Sequence, residues 1–236
     1  MAPPLHCRFE NGFVYGYVPG IPLKHLQISS PEYFPLIARK MARWHQVDTV
    51  PGDRSPRFFK TLWKWMKNIP KHSAKLKTVD MDFLETELAA LEIRIKALNC
   101  PVVFCHNDLL SANIIYSPEI NEVSFIDYEY GSFNYRSFDI ANHFCEFAGF
   151  DCDYSLYPDE EFQRQWCKEY LKCFSDNFTD QQIDQVLKEV AVFTLAAHFS
   201  WGLWGLVQAQ VSDIQFDYTS YAAKRFAEYK RRYAML

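Results

Sequence analysis

The 236-residue sequence has no block of lysine and arginine and carries a formal net charge of −4. It therefore lacks the footprint of a nucleic-acid binder or of a protein held on an anionic membrane. Its seven cysteines form an odd set with no CxxC pair, and the opening MAPPLHCRFE has no apolar signal core. These absences point to the reducing cytoplasm. Cys105–His106 and His143–Cys145 have neither finger nor ribbon spacing, so structural zinc is not expected. What is present is 49% hydrophobic content, ample for a core in one large domain or two small ones. A small cationic substrate fits the charge balance.

The informative stretch runs from Val102 to Glu146. His106, Asp108 and Asn113 stand in the order H-x-D-x-x-x-x-N, and Asp127 follows an apolar run. This is the catalytic-loop and metal-loop arrangement of kinases. Phosphoryl transfer needs one carboxylate to accept the proton of the attacking hydroxyl, here Asp108, and oxygen ligands for Mg²⁺, here Asn113 and Asp127. Val102–Cys105, Ile114–Tyr116 and Val123–Ile126 read as short strands that hold these loops. Asp and Asn are also ordinary turn residues, but separated motifs agree here.

HNDLL-x-x-N-I and the run FIDYEY…NY…FDI-x-NHF-x-E resemble the choline/ethanolamine kinase family, within the wider kinase fold. Leu109-Leu110 looks more like the ethanolamine kinases, since choline kinases more often carry glutamine at the position of Leu110. The resemblance implies an α+β, protein-kinase-like fold, mostly a helical C-terminal lobe with a few short strands. Residues 1–20 are expected to be a remnant hairpin and interlobe linker, and residues 21–236 the lobe with the catalytic and amino-alcohol-binding segments. Phe9–Val18 reads as a hairpin about Asn11-Gly12, and the resemblance makes Tyr17 and Val18 candidates for the adenine-contacting linker. No Gly-rich loop and no strand lysine precede Pro19, so the N-terminal lobe is expected to be largely absent.

Helices dominate from Ser30 onward. Ser30-Pro31 reads as a cap with a first-turn proline, followed by 3.6-period apolar spacing to His45. Trp44 and His45 read as packing and capping groups. Arg57–Ile69 reads as a helix with Lys60, Lys64 and Lys67 on a solvated face. Lys71–Lys77 reads as a basic join, and Asp80–Leu98 as a helix with Phe83, Leu84, Leu88, Leu91 and Ile95 as its stripe. Ser137–Gly149 should be helical with Asp139 in its first turn, where the resemblance implies that it tethers the catalytic loop, with His106 also in support. Asp159–Cys173 and about Gln181–Gln210 follow. Val190–Val207 is nearly all apolar, but Thr194, His198, Ser200 and the glycines at 202 and 205 favour a buried helix over a transmembrane span. The final helix, Tyr218 to about Tyr233, carries Lys224, Arg225, Lys230, Arg231 and Arg232, which offset its dipole.

Trp201 and Trp204 share a helix face, and Phe216, Tyr218 and Tyr221 follow. Such stripes are commonly core, and for Trp201 core and pocket both stay open; the resemblance assigns Trp204, Phe216, Tyr218 and Tyr221, with Glu129, Tyr130 and Glu146, to the amino-alcohol pocket, with Trp201 a candidate beside them. Carboxylates and aromatic faces both hold an ammonium group. The implied reaction is ATP- and Mg²⁺-dependent phosphorylation of ethanolamine for phosphatidylethanolamine synthesis. A choline kinase, or a catalytically silent form that binds amino alcohol or a complete subunit, is the alternative. A homodimer is left open, and no nucleic-acid partner is expected.

Overall fold

A computed structural model describes residues 3–70 and 79–236. The basic join Lys71–Lys77 lies outside the described residues. In chain order the elements are β1 (Leu5–Phe9), β2 (Gly12–Tyr15), β3 (Ile21–Pro22), α1 (Phe34–His45), α2 (Phe58–Asn68), α3 (Met81–Ala97), β4 (Val102–Cys105), β5 (Ile114–Ser117), β6 (Glu122–Phe125), β7 (Ser132–Tyr135), α4 (Arg136–Cys145), α5 (Glu160–Leu171), α6 (Asp180–Val211) and α7 (Tyr218–Tyr233).

The strands make three small antiparallel sheets: the β1–β2 hairpin, a β3-β5-β6 sheet and a β4–β7 pair. Gly20 enters the second of these so closely that a Cβ would lie 2.5 Å from the Tyr116 carbonyl oxygen, and its φ of +141° is open to glycine. The hairpin turn is Glu10–Asn11, with Gly12 already the first residue of β2. Strand β7 was not anticipated. Its SFNY sequence is polar enough to read as a loop, and only pairing with β4, Val102 opposite Tyr135 and Cys105 opposite Ser132, makes it a strand.

Helix starts follow side-chain caps. Asp80, Asp159 and Asp217 accept the backbone N–H three residues on, and Thr179 with Gln182 forms a reciprocal capping box on α6. Each cap contributes about 1 kcal/mol. Helix α1 departs from expectation: residues 31–33 are a turn, the helix begins at Phe34, and Pro35 rather than Pro31 occupies its first turn. The lysines at 60, 64 and 67 are exposed, as a solvated face requires. Of the α3 stripe, Leu84, Leu88, Leu91 and Ile95 are buried but Phe83 is not. The expected helix over 137–149 stops at Cys145 and tightens into a 3₁₀ turn over Glu146–Ala148.

Helix α6 is the centre of the molecule. It packs against α2, α3, α4, α5 and α7, and Phe193, Leu195, Ala196, Ala197 and Phe199 are all 0% exposed. Each large apolar side chain buried there contributes roughly 1.5–3 kcal/mol. The helix is long and apolar enough to cross a membrane, yet 78% of its most apolar stretch is buried inside the protein. Its all-round apolarity is explained by neighbours on every side.

Candidate active site

Strand β4 delivers the chain into a loop, His106–Asn113, that returns as β5. The buried helix residue Asp139 clamps the start of this loop: Oδ2 accepts from the His106 N–H and Oδ1 from the Asn107 N–H, each at 2.7 Å. Burial alone would raise the Asp139 carboxyl, but His45 and His106 reverse this and hold it below the usual range. His45, from the end of α1, lies 3.0 Å from Asp139 Oδ2 through Nε2. A carboxylate only accepts, so the Nε2–H donates, while Nδ1 meets the Tyr170 hydroxyl at 2.7 Å. His45, read from the sequence as a packing and capping group, is buried and joins Asp139 to Tyr170.

The loop is fixed from other directions as well. Asn107 has φ +67°, a left-handed conformation that asparagine tolerates. Its side-chain amide donates to the Tyr130 carbonyl at 2.9 Å and accepts from Asn134 at 2.7 Å. His106 Nε2–H donates to the Ile126 carbonyl at 2.9 Å, and Nδ1 accepts from the Asp108 N–H at 3.3 Å. One buried imidazole therefore ties the backbone of Asp108 to the segment that presents Asp127. Burial lowers the His106 ring below its ordinary value, in keeping with this neutral tautomer.

Asp108 is 9% exposed. Burial first, then the neighbouring Glu146, Asp127, Glu129 and Asp139, push its carboxyl up to about 8. The Asn113 amide nitrogen donates to the Asp108 carbonyl at 2.9 Å, which leaves the amide oxygen free to ligate. Asp127 is exposed at φ +66°, and its carboxylate makes no hydrogen bond among the described residues. A carboxylate and an amide oxygen, both uncommitted and beside a cluster of acids, suit a hard divalent cation such as Mg²⁺. His45, Cys105 and Asp139 also bring three donor atoms within 4.8 Å of one another. That group is no metal centre: both Asp139 oxygens already accept two amide hydrogens and His45, and burial raises the Cys105 thiol.

Beside Asp108 lies a cavity of about 100 Å³, walled by Leu110, Glu129, Tyr130, Glu146, Phe150, Trp201, Trp204 and Tyr221. Trp204 Nε1–H donates to the Tyr130 hydroxyl at 3.0 Å, and Trp201 Nε1–H to Asn142 Oδ1 at 2.7 Å. The two indoles stand edge to face with centroids 5.4 Å apart, and Tyr221 closes on Trp204 at 6.1 Å. Both indole nitrogens are satisfied by protein partners, which leaves the ring faces for a ligand. Phe216 and Tyr218 are not among these walls. They stand in a layer behind, Phe216 against Phe150 at 6.2 Å and Tyr218 against Trp204 at 5.6 Å. Tyr17 is 84% exposed and is not among these walls; neither it nor Val18 makes a backbone hydrogen bond among the described residues.

Sequence reasoning missed Phe150, the Asn142 support of Trp201, and the role of His45. It also placed Arg225 among the dipole-offsetting cations of the tail and did not foresee that it meets Glu146. Instead the two are paired and buried, with Arg225 Nη1 donating to Glu146 Oε1 at 3.3 Å. The only signal available was the helical phase of Arg225, on the same face as Tyr218, Tyr221 and Ala222.

An aspartate on a loop that is clamped from a neighbouring helix, with a second acid arriving from the next hairpin, is how protein-kinase-like folds are built, and this chain has that fold. The solved structure of Plasmodium vivax ethanolamine kinase superposes with a TM-score of 0.85 at 33% identity, covering 96% of this chain and 66% of that one. The chain belongs to the choline/ethanolamine kinase family, whose model matches residues 1–230. Probable ethanolamine kinase A of Dictyostelium discoideum is 40% identical over 228 residues, covering 94% of this chain and 65% of that protein. Ethanolamine kinase 2 of Mus musculus is 43% identical over 239 residues, covering 97% of this chain. This chain spans 60% of the mouse protein's length.

Proposed function

We propose that the chain carries out, or forms the catalytic part of a protein that carries out, phosphoryl transfer from ATP to the hydroxyl of ethanolamine in the cytoplasm. The observation that carries this reading is the cavity beside Asp108, whose walls combine carboxylates with aromatic faces and whose volume suits a very small amino alcohol. An ammonium between Glu129, Glu146 and the Trp201, Trp204, Tyr130 and Tyr221 rings would leave the hydroxyl to reach Asp108. A primary ammonium keeps N–H donors for the carboxylates. Leu110 on the wall, where choline kinases more often carry glutamine, favours ethanolamine over choline.

Asp108 is the base. In the free protein its carboxyl is pushed up to about 8, and the positive charge of a bound ammonium favours its ionised form, which brings a proton acceptor close to neutral pH. Asn113 and Asp127 would hold Mg²⁺, which supplies charge neutralisation on the phosphates when bound. Asp139, His45 and His106 keep the loop in one geometry, so the chemistry rests on positioning. Residues 1–20 serve as hairpin and linker, with the uncommitted backbone of Tyr17 and Val18 available to an adenine; residues 21–236 form the catalytic and binding lobe. Phe216 and Tyr218 support the aromatic wall from behind.

The test is ADP release by the purified chain with Mg²⁺-ATP and either ethanolamine or choline, with Asp108→Asn as control. Turnover preferring ethanolamine and lost in the variant supports the reading. Turnover retained in Asp108→Asn refutes the base, and preference for choline refutes the substrate.

A further inference from the structure

The reaction just described gives no task to Arg225, a buried cation of α7. Among the described residues the cations of α7 are exposed or half-buried except Arg225, which is 1% exposed. Its burial follows from two glycines. A Cβ at Gly202 would lie 2.7 Å from the Phe226 ring, and one at Gly205 would lie 3.1 Å from both the Ala222 Cβ and the Tyr218 carbonyl oxygen. The bare α6 surface thus lets α7 approach until Arg225 sits behind the wall of the amino-alcohol cavity.

There the guanidinium is poorly provided for. Nη1 donates to Glu146 Oε1 at 3.3 Å, Nη2 donates to the Ala197 carbonyl at 3.4 Å, and Nε is buried with no partner. The Tyr221 ring, itself a cavity wall, lies over the cation at 5.7 Å. Among the described residues Glu146 is the only carboxylate that Arg225 pairs with, and Glu146 makes no other side-chain hydrogen bond. Glu146 lines the cavity, so with Oε1 engaged, Oε2 is the oxygen left to a ligand. Burial pushes the Glu146 carboxyl above its ordinary range, and Arg225 offsets this only in part. A carboxylate this deep would take up a proton if its cation were removed.

We propose that Arg225 is a positioning residue of the amino-alcohol site, which holds Glu146 as an oriented carboxylate so that its free oxygen can bind the substrate ammonium. The proposal rests on the ethanolamine reading for the identity of the ligand. The interaction also explains why a cavity that already crowds Asp108 with acids carries a further one: Arg225 offsets that acid from behind, where it does not obstruct the ligand.

Two measurements separate this role from simple packing. The first is the ¹³C signal of the Glu146 side-chain carboxyl without ligand, assigned through Glu146→Gln, in the wild type, Arg225→Lys and Arg225→Met. The groups facing this pair are Asp108 from the catalytic loop, Cys145 beside Glu146, Tyr154 from the turn after α4, His198 from α6 and Tyr221 from α7. Glu146 is expected to be ionised at pH 7 in the wild type, protonated in Arg225→Met and intermediate in Arg225→Lys. The second is steady-state kinetics: KM for ethanolamine should rise about ten- to a hundredfold in Arg225→Met with KM for ATP unchanged, and recover partly in Arg225→Lys. The double variant Arg225→Met/Glu146→Gln should be no weaker than Glu146→Gln alone. It also removes the uncompensated charge, so it remains informative if Arg225→Met does not fold. A Glu146 that ionises identically in all variants, or penalties that add in the double variant, overturns the proposal. If Glu146 follows Arg225 but the wild type neither binds nor phosphorylates ethanolamine, it is the substrate reading that fails.

Discussion

Replacing the proposed base should make the free protein more stable. The Asp108 carboxyl sits at about 8 when folded against 3.8 ordinarily, through burial first and neighbouring acids second. A carboxyl raised on folding binds its proton more tightly in the native state, so stability falls as pH rises from about 4 to about 8 and is level above. At about 1.36 kcal/mol per pH unit, the penalty at pH 7 is on the order of 4 kcal/mol. Water reaching the cavity reduces this to about 2–4 kcal/mol. The carboxyl makes no hydrogen bond among the described residues, so Asp108→Asn removes the charge without breaking one. Thermal melts in the absence of ligands should show Asp108→Asn about 5–15 °C more stable at pH 8, with the two proteins converging near pH 4. Ethanolamine and Mg²⁺ should narrow the gap, because cations favour the ionised form. Equal melting temperatures at pH 8, or a gap that widens toward acid, would refute the assignment of Asp108 as a strained acid. The same shift predicts that kcat/KM for ethanolamine falls about tenfold per pH unit below 8.

Other perturbations probe separate parts of the site. Asp127→Asn should cut turnover sharply with little change in melting temperature, since asparagine tolerates the φ of +66° and this exposed carboxylate makes no hydrogen bond among the described residues; an active variant with unchanged Mg²⁺ dependence would remove Asp127 from the metal site. His45→Phe takes one donor from buried Asp139 and strands the Tyr170 hydroxyl, and should cost about 1–3 kcal/mol in denaturant unfolding. Its kcat should fall more than its KM values, because the loop loses registration while the cavity walls stay. Leu110→Gln should move the ethanolamine-to-choline kcat/KM ratio toward choline by up to about tenfold, and an unmoved ratio would show that Leu110 does not set preference.

The sequence on its own determined the arrangement that lies within short reach along the chain. The order of His106, Asp108, Asn113 and Asp127 was legible because a loop between two strands places such residues by spacing, and strands β4, β5 and β6 followed from apolar runs. Helix periods and aspartate caps likewise depend on neighbours three or four residues away. The aromatic tail was legible as a group, and the family resemblance directed it to the cavity. Only tertiary structure decided which of those rings form the wall, with Trp201, Trp204 and Tyr221 in front and Phe216 and Tyr218 behind. It also decided that His45 meets Asp139 from 94 residues away and that Arg225 reaches Glu146 from 79 residues away. No local pattern encodes such pairs, because a helix presents the same periodicity whether its charged residue ends in water or in the core. The glycines at 202 and 205, which the sequence offered only as an argument against a membrane span, set how near α7 comes, and so whether Arg225 serves as a surface cation or as the partner of a carboxylate in the site.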